Sequence, residues 1–165
     1  AEYVLVVDVA KGVGEDSSAI SVVNVSSRPF QVVAVYDSNK ITPMFFSRVV
    51  HNIAMKYNQA YILVEENMGN QVLDILTTDL EYENVFSTEK QNHQTILSSG
   101  FGSSAKFGVT TTKKVKSDGC SNLKMLIEND QLIYSEILVF ALPYQKAEGS
   151  LVASSALVLL DVLNE

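Results

Sequence analysis

The sequence contains one cysteine, three prolines, no tryptophan and no apolar run of membrane-spanning length. Cys120 cannot form an internal disulfide, and it lacks the neighbouring Cys and His residues that a zinc site requires. A transmembrane helix needs roughly 18 to 20 apolar residues, so we expect no membrane partner. These absences favour a reducing, cytoplasmic setting and a core that is held together by packing.

Two further features are missing. The N-terminus begins almost inside an apolar segment, with no signal peptide, as a fragment cut from a longer protein would begin. No GxxxxGK[ST] motif is present, which excludes a P-loop ATPase in this chain. With 165 residues and no internal repeat or linker, residues 1–165 are expected to form a single domain.

Acidic residues outnumber basic ones, 19 to 12, and the formal net charge is −7. This charge argues against a protein that coats nucleic acid with its whole surface. Five of the basic residues nevertheless share one short segment in which Asp118 is the only acid: Lys106, Lys113, Lys114, Lys116 and Lys124. The segment is either an ordinary solvated face or a basic stripe that binds phosphates.

The apolar runs predict strands and helices in a definite order. Strands are predicted over residues 3–9, 18–25, 30–36, 60–64, 84–86 and 132–140. Helices are predicted over 42–57, 70–78, 122–128 and 151–163, and the polar stretch 87–112 is expected to be a mobile loop or an extended hairpin. Short connections make the first three strands an antiparallel meander. The later alternation predicts an α/β fold, a mixed sheet with helices on both faces.

Two acids, Asp8 and Glu65, each end a buried apolar strand. If the two strands are neighbours, both carboxylates emerge at one edge of the sheet and can share Mg²⁺ or Mn²⁺. Two such ions can support phosphodiester cleavage. The alternative is that Asp8 caps a turn and Glu65 lies exposed at a strand end. Asp16 could reach the same edge as a further metal ligand, or it could be a turn residue that opens the second strand.

The other polar residues near these acids carry weaker predictions. Glu15 and Glu66 adjoin the candidate ligands but are expected to point away from them and to be solvated. His51 lies in a predicted helix and is expected to be structural. His93 lies in the polar stretch and could carry a proton, although nothing in the sequence pairs it with another catalytic group.

Four stretches of the chain, in a fixed order, carry a resemblance to a known family. They are "VVDVAKGVGEDSSAISVVNV", "YILVEENMGNQVLDILTTDLEYENVF", "GVTTTKKVKSDGCSNLKMLIENDQLI" and "AEGS" followed by an apolar helix pattern. In that order they resemble the C-terminal nuclease domain of the large terminase subunit of tailed bacteriophages, over nearly the whole chain. The resemblance implies an RNase H-like fold and a metal-dependent endonuclease, with two Mg²⁺ or Mn²⁺ ions, that cuts concatemeric double-stranded viral DNA during packaging with low sequence specificity.

The resemblance also implies roles for individual residues. By position, Asp8 matches the family's first catalytic aspartate, Glu65 its second acid, and Asp16 an acidic position in the first motif. The lysine segment matches a region expected to lie along the DNA. The implied partners are an ATPase domain of the same subunit, a portal and a small terminase subunit, in the cytoplasm of the infected bacterial host. The isolated domain is expected to be a monomer.

The sequence departs from the family at its third acid, which the family places in a His-Asp-Asp triplet before the last helix. No His or Asp stands between Ser150 and Leu151. Asp161 lies too far along the predicted helix to replace it, roughly 15 Å. A second hypothesis is therefore a catalytically impaired module that grips DNA or docks within the packaging motor. A third is another RNase H-like nuclease, of the resolvase or integrase type, against which the stretch 113–133 argues.

Overall fold

A five-stranded mixed sheet forms the centre of the structure, a computed structural model that describes residues 1–91, 94–98 and 106–141. In chain order the strands are β1 (Tyr3–Asp8), β2 (Ser18–Asn24), β3 (Phe30–Ser38), β4 (Tyr61–Val64), β5 (Ser87–Gln91), β6 (Gln94–Ser98), β7 (Lys106–Phe107) and β8 (Leu132–Ala141). The helices are α1 (Pro43–Lys56), α2 (Glu66–Asp74), which a π-helical turn over Ile75–Asp79 extends, and α3 (Lys113–Glu128).

The sheet has the strand order β4-β1-β2-β3-β8. β1, β2 and β3 form the predicted antiparallel meander, whereas β4 is parallel to β1 and β8 is parallel to β3. A second, small sheet has the order β6-β5-β7, so the stretch expected to be a loop or an extended hairpin does contain a hairpin. The predicted α/β fold with a mixed sheet is confirmed.

The strands at the centre of the sheet are buried on both faces. Alternate residues of a strand point to opposite faces, so Leu5 and Val7 of β1 pack in one core with residues of α1 and α2. Val4 and Val6 point the other way and pack in a second core with Leu126 of α3. A fully buried Leu or Val side chain stabilises the fold by about 1.5 to 3 kcal/mol. The continuous apolar run of β1 is typical of such a doubly covered strand.

Helix α1 follows its sequence pattern closely. Pro43 occupies the first turn, and the apolar face that includes Phe46 and Val50 is buried against the sheet. Thr42 stands at the N-cap position, but its side chain makes no capping hydrogen bond. Within the helix, the Ser47 hydroxyl donates to the Pro43 carbonyl (2.8 Å).

Two helices begin earlier than the pattern predicts. α2 begins at Glu66 instead of residue 70, and α3 begins at Lys113 instead of residue 122. In both helices the first turns are mostly polar, so they show no apolar periodicity from which a helix could be recognised. Gly119, which precedes the predicted range 122–128, lies buried inside α3. The predicted strand over 84–86 is reduced to an isolated bridge between Ile62 and Val85.

Several predictions lie outside the described residues. These are the last helix over 151–163 with Asp161, the junction of Ser150 and Leu151, and His93. Within the described part of the chain, none of the helices has both the length and the apolar composition needed to cross a membrane.

Candidate active site

The carboxyl ends of β1 and β4 place Asp8 and Glu65 side by side. The two parallel strands pair Val7 with Val64, so the next residue of each strand is one of the two acids. The Glu65 backbone N–H donates to the Val7 carbonyl (3.1 Å), which continues the pairing up to the acids. Their side chains share the face of the sheet that α3 covers, because neighbouring residues of paired strands point the same way. The structure thus brings together the two acids that were predicted as a pair.

The Asp8 carboxyl is partly buried beside the second acid. Burial is the largest cause that raises the pKa of Asp8 from 3.8 to about 6, followed by the charge and the hydrogen bond of Glu65. The Val9 backbone N–H opposes this shift. A cation between the two carboxylates would relieve the repulsion between their charges.

Asp16 lies in the loop between β1 and β2 and is exposed. Its charge also raises the pKa of Asp8, as the smallest of the causes. Gly12 shapes the loop, with a φ of +73° and so little room that a Cβ would lie 2.3 Å from the Ile41 carbonyl oxygen. Among the residues that the structure describes, no three His, Cys, Asp or Glu side chains lie close enough together to hold a metal ion. Metal ligation by Asp16 therefore stays a prediction.

Asp37 is a further acid on this face that the sequence analysis missed. β1 pairs Asp8 with Ala19, and β2 pairs Ala19 with Asp37, so all three residues lie in one row across the sheet. Asp37 is two strands from Asp8, about 10 Å at the usual strand spacing. One of its carboxylate oxygens is buried and has no hydrogen-bond partner within the described residues. The sequence did contain a signal, since Asp37 follows the apolar run of β3 as Asp8 follows that of β1.

Glu66 was expected to be solvated, and this prediction is wrong. The residue is 8% exposed, its carboxylate pairs with the Lys106 ammonium, and it accepts a hydrogen bond from the Thr110 hydroxyl. Strand alternation ends at Glu65, because α2 begins at the next residue, so alternation no longer predicts where the Glu66 side chain points. Glu15, in contrast, is exposed as predicted.

The structure divides the predicted DNA-binding lysines into three settings. The first group, exposed in the first turns of α3, consists of Lys113, Lys114 and Lys116. Lys124 lies further along α3 and forms an exposed ion pair with Glu128 (3.7 Å). Lys106 precedes the helix and is paired with Glu66. The first group thus has the fewest described contacts that compete with a phosphate.

The N-terminal end of α3 lies near the acid pair. Val109 forms a parallel bridge with Glu65, and the Glu66 backbone N–H donates to the Val109 carbonyl (2.8 Å). Thr112, which caps α3 by accepting a hydrogen bond from the Val115 N–H, follows three residues later, at most about 11 Å along the chain. Lysines at this end of a helix oppose its dipole, so their presence favours a role in binding anions.

Comparison with known proteins identifies the family. The model of the terminase RNaseH-like domain matches residues 5–146. The chain belongs to this family. The terminase nuclease domain of human cytomegalovirus, soaked with Mn, has a similar structure, with a TM-score of 0.56 and 9% identity over 84% of this chain and 68% of that one. The same domain with an inhibitor bound gives a TM-score of 0.54 and 8% identity over 88% and 70%.

The expected fold is therefore confirmed for this terminase RNaseH-like domain. The structural likeness is at low sequence identity, so it establishes the fold and leaves individual residue roles to the site itself. The acid pair suits a hard divalent cation, because Asp8 and Glu65 offer carboxylate oxygens alone at a partly exposed edge where water can complete the coordination. The family match ends at residue 146, before the junction of Ser150 and Leu151.

Proposed function

We propose that this chain is the nuclease domain of a DNA-packaging terminase and that it hydrolyses phosphodiester bonds of concatemeric double-stranded viral DNA. The observation that carries the proposal is the placement of Asp8 beside Glu65 at the ends of two parallel strands, next to the lysine-bearing end of α3. Membership of the terminase family supports it, as does the similarity to a viral terminase nuclease domain that was soaked with Mn.

In this function Asp8 and Glu65 would hold Mg²⁺ or Mn²⁺. A bound divalent ion supplies the Lewis acidity that activates a water molecule and stabilises the leaving oxygen. Asp16 is the candidate for a further ligand if a second ion binds.

The exposed lysines at the start of α3 would bind the phosphates of the DNA strand to be cut. Such contacts do not read base edges, so we expect low sequence specificity and strong dependence on salt.

The same proposal sets the domain within a larger machine. Its expected partners are double-stranded DNA, an ATPase domain of the same subunit, a portal and a small terminase subunit, in the cytoplasm of an infected bacterial host. The isolated domain is expected to be a monomer. The family favours a terminase over a resolvase or an integrase.

A plasmid assay tests the nuclease directly. Supercoiled plasmid would be incubated with the chain and Mg²⁺, Mn²⁺ or EDTA, beside Asp8→Asn and the charge-matched control Glu15→Gln. We expect metal-dependent nicking that Asp8→Asn lowers by at least about 100-fold, because the variant loses a ligand of the ion, while Glu15→Gln cuts like the wild type. Cutting that survives in Asp8→Asn would contradict the proposal.

The second candidate function is a module that grips DNA without cutting it. It is favoured by one observation, that the described residues bring two acids together and not three. A folded chain that binds the plasmid in EDTA but cuts it with neither metal would support this candidate and exclude the nuclease.

A further inference from the structure

Glu66 is a buried acid next to the carboxylate pair, and the proposed function gives it no task. Its side chain is about one-tenth exposed, at 11%, whereas that of its partner Lys106 is 66% exposed. Both Glu66 carboxylate oxygens are engaged, one by the Lys106 ammonium and the other by the Thr110 hydroxyl. Each carboxylate oxygen of Glu66 thus already has a partner in residues 106–110, and these contacts would compete with a metal ion.

Three polar contacts of Glu66 go to one stretch of chain, residues 106–110. In addition to its two side-chain contacts, its backbone N–H donates to the Val109 carbonyl (2.8 Å). The Val109 N–H donates to the Val64 carbonyl (3.0 Å), so both backbone bonds of Val109 go to the same segment at the end of β4. Gly108 fits closely there, since a Cβ would lie 2.9 Å from the Val64 carbonyl oxygen and 2.8 Å from Leu73 Cδ1. Residues 106–110, called the clamp below, are thus packed against the end of β4 and against α2.

This clamp leads directly into α3. Thr110 is followed after one residue by Thr112, the N-cap of the helix, and then by the lysines of its first turns. Glu66, which contacts residues 106–110, directly follows Glu65 in the chain. One peptide bond therefore separates the residue that holds this stretch from the acid pair. Any displacement of residues 106–110 would therefore change the distance between the lysines and the carboxylates.

We propose, on the basis of the proposed nuclease function, that Glu66 is a positioning residue that holds residues 106–112, and with them the N-terminal end of α3, in register with the Asp8–Glu65 pair. The lysines then present a DNA phosphate at the carboxylates. Lys106 serves in this arrangement as an anchor of the clamp, and its contribution to DNA affinity is secondary.

Simple electrostatics predicts the opposite effect for Glu66. An acid near bound DNA repels phosphates, so its removal should tighten binding and leave the rate of cleavage unchanged. A positioning role predicts that cleavage slows although binding is not weakened, because small misplacements of a bound substrate reduce the rate strongly. The two readings therefore differ in how kcat and the Kd for DNA change.

The kinetic test compares Glu66→Ala and Glu66→Gln with Glu15→Gln, which removes the same charge from an exposed position. Glu66→Gln preserves the packing and an acceptor for Thr110, so it remains useful if Glu66→Ala folds poorly. We expect kcat for cleavage of a short duplex to fall about 10- to 100-fold in Glu66→Ala and less in Glu66→Gln, with no increase of Kd measured in EDTA. Changes that equal those of Glu15→Gln would overturn the proposal.

A distance measurement tests the positioning without relying on cleavage. Cys120 is the single cysteine of the chain, and it is exposed on α3. A nitroxide on Cys120 and a second one at an Asn52→Cys substitution, on the exposed side of α1, allow the distance to be measured by electron double resonance.

We expect a narrow distance distribution in the doubly labelled chain without a further substitution, and the same distribution when Glu15→Gln is added. With Glu66→Ala we expect the distribution to be broadened or displaced. An unchanged distribution in both Glu66 variants would overturn the proposal, whether or not the wild type cuts DNA. A wild type that does not cut, together with a broadened distribution in the Glu66 variants, would contradict the proposed function while supporting the positioning of α3 by Glu66.

Discussion

The two ends of β4 differ in how their polar groups are matched. Near the amino end, the Tyr82 hydroxyl donates to the Ala60 carbonyl (2.7 Å) and the Asn84 side chain donates to the Gln59 carbonyl (2.8 Å). At the carboxyl end, two acids lie side by side, and the pKa of Asp8 is raised to about 6 by burial and by Glu65. At the amino end donors meet acceptors, whereas at the carboxyl end Asp8 and Glu65 place two acids together where a cation is expected.

A cavity among the described residues lies away from the acid pair. A cavity of about 310 Å³ lies near the amino end of β4, lined by residues that include His51 and Tyr82. The two rings meet edge to face, with centroids 5.5 Å apart, which agrees with the predicted structural role of His51. This cavity therefore lies apart from the acid pair on which the proposed function rests.

The largest effect on DNA binding is expected from the lysines in the first turns of α3, near the carboxyl end of β4. Replacing Lys113, Lys114 and Lys116 together by Ala should weaken binding to a short duplex about 10- to 100-fold and lower the slope of log Kd against log salt by about 3. Fluorescence anisotropy in EDTA measures both quantities. Lys56→Ala, at the end of α1, is the control and should change neither by much. Equal effects of the triple lysine variant and of Lys56→Ala would show that the lysines near the carboxyl end of β4 have no special role in binding DNA.

At the amino end, Tyr82→Phe should affect stability and leave function unchanged. Tyr82 is 7% exposed, so the variant leaves the Ala60 carbonyl without its donor, and the free energy of unfolding should fall by about 1 to 2 kcal/mol. Urea denaturation measures this change, with the exposed Tyr61→Phe as a control that should be neutral. If Tyr82→Phe also slowed DNA cleavage, the amino end would have a functional role.

Asp8→Asn should raise stability in the absence of metal at neutral pH. The pKa of Asp8 is higher in the folded state than its ordinary value of 3.8, so the wild type loses stability as the pH rises from 3.8 to about 6. The variant has no ionisable group at this position, so its free energy of unfolding should exceed that of the wild type by about 1 kcal/mol after allowance for solvent screening.

Thermal unfolding as a function of pH measures the difference between Asp8→Asn and the wild type. This difference in stability should disappear below pH 3.8, where Asp8 is protonated in both the folded and the unfolded state. Saturating Mg²⁺ should stabilise the wild type and leave Asp8→Asn unchanged. A variant that is less stable than the metal-free wild type at neutral pH would show that Asp8 is structural.

The smallest effect is expected from Lys124. Its pair with Glu128 is exposed on both sides, so Lys124→Ala should change the free energy of unfolding by less than about 0.5 kcal/mol. Its effect on DNA affinity should be smaller than that of Lys113→Ala, measured in the same anisotropy assay. A larger effect would extend the DNA-contacting surface along the whole of α3.

The sequence predicted the acid pair because each acid directly follows a buried apolar run. Such runs mark strands inside a sheet, and the carboxyl ends of parallel neighbours meet at one edge. The mixed sheet was predicted from the order of the elements, because strands joined by short connections pair antiparallel and strands that alternate with helices pair parallel. Residues 3–9 and 60–64 were accordingly placed within one residue of β1 and β4.

Glu66 and the start of α3 could not be predicted in this way. Their positions depend on contacts between distant segments, such as the pairing of Glu66 with Lys106, which no local periodicity encodes. Asp37 shares a face with Asp8 through two strand registers, and register is a property of the folded sheet.

The measurement that tests the metal site most directly is Mn²⁺ binding by the folded chain, followed by calorimetry or electron paramagnetic resonance. Wild type and Glu15→Gln should bind with the same affinity, whereas Asp8→Asn and Glu65→Gln should each bind at least about 10-fold more weakly, because each loses one of two adjacent ligands. Equal Mn²⁺ affinity in all four proteins would show that the edge where β1 and β4 end is not the metal site.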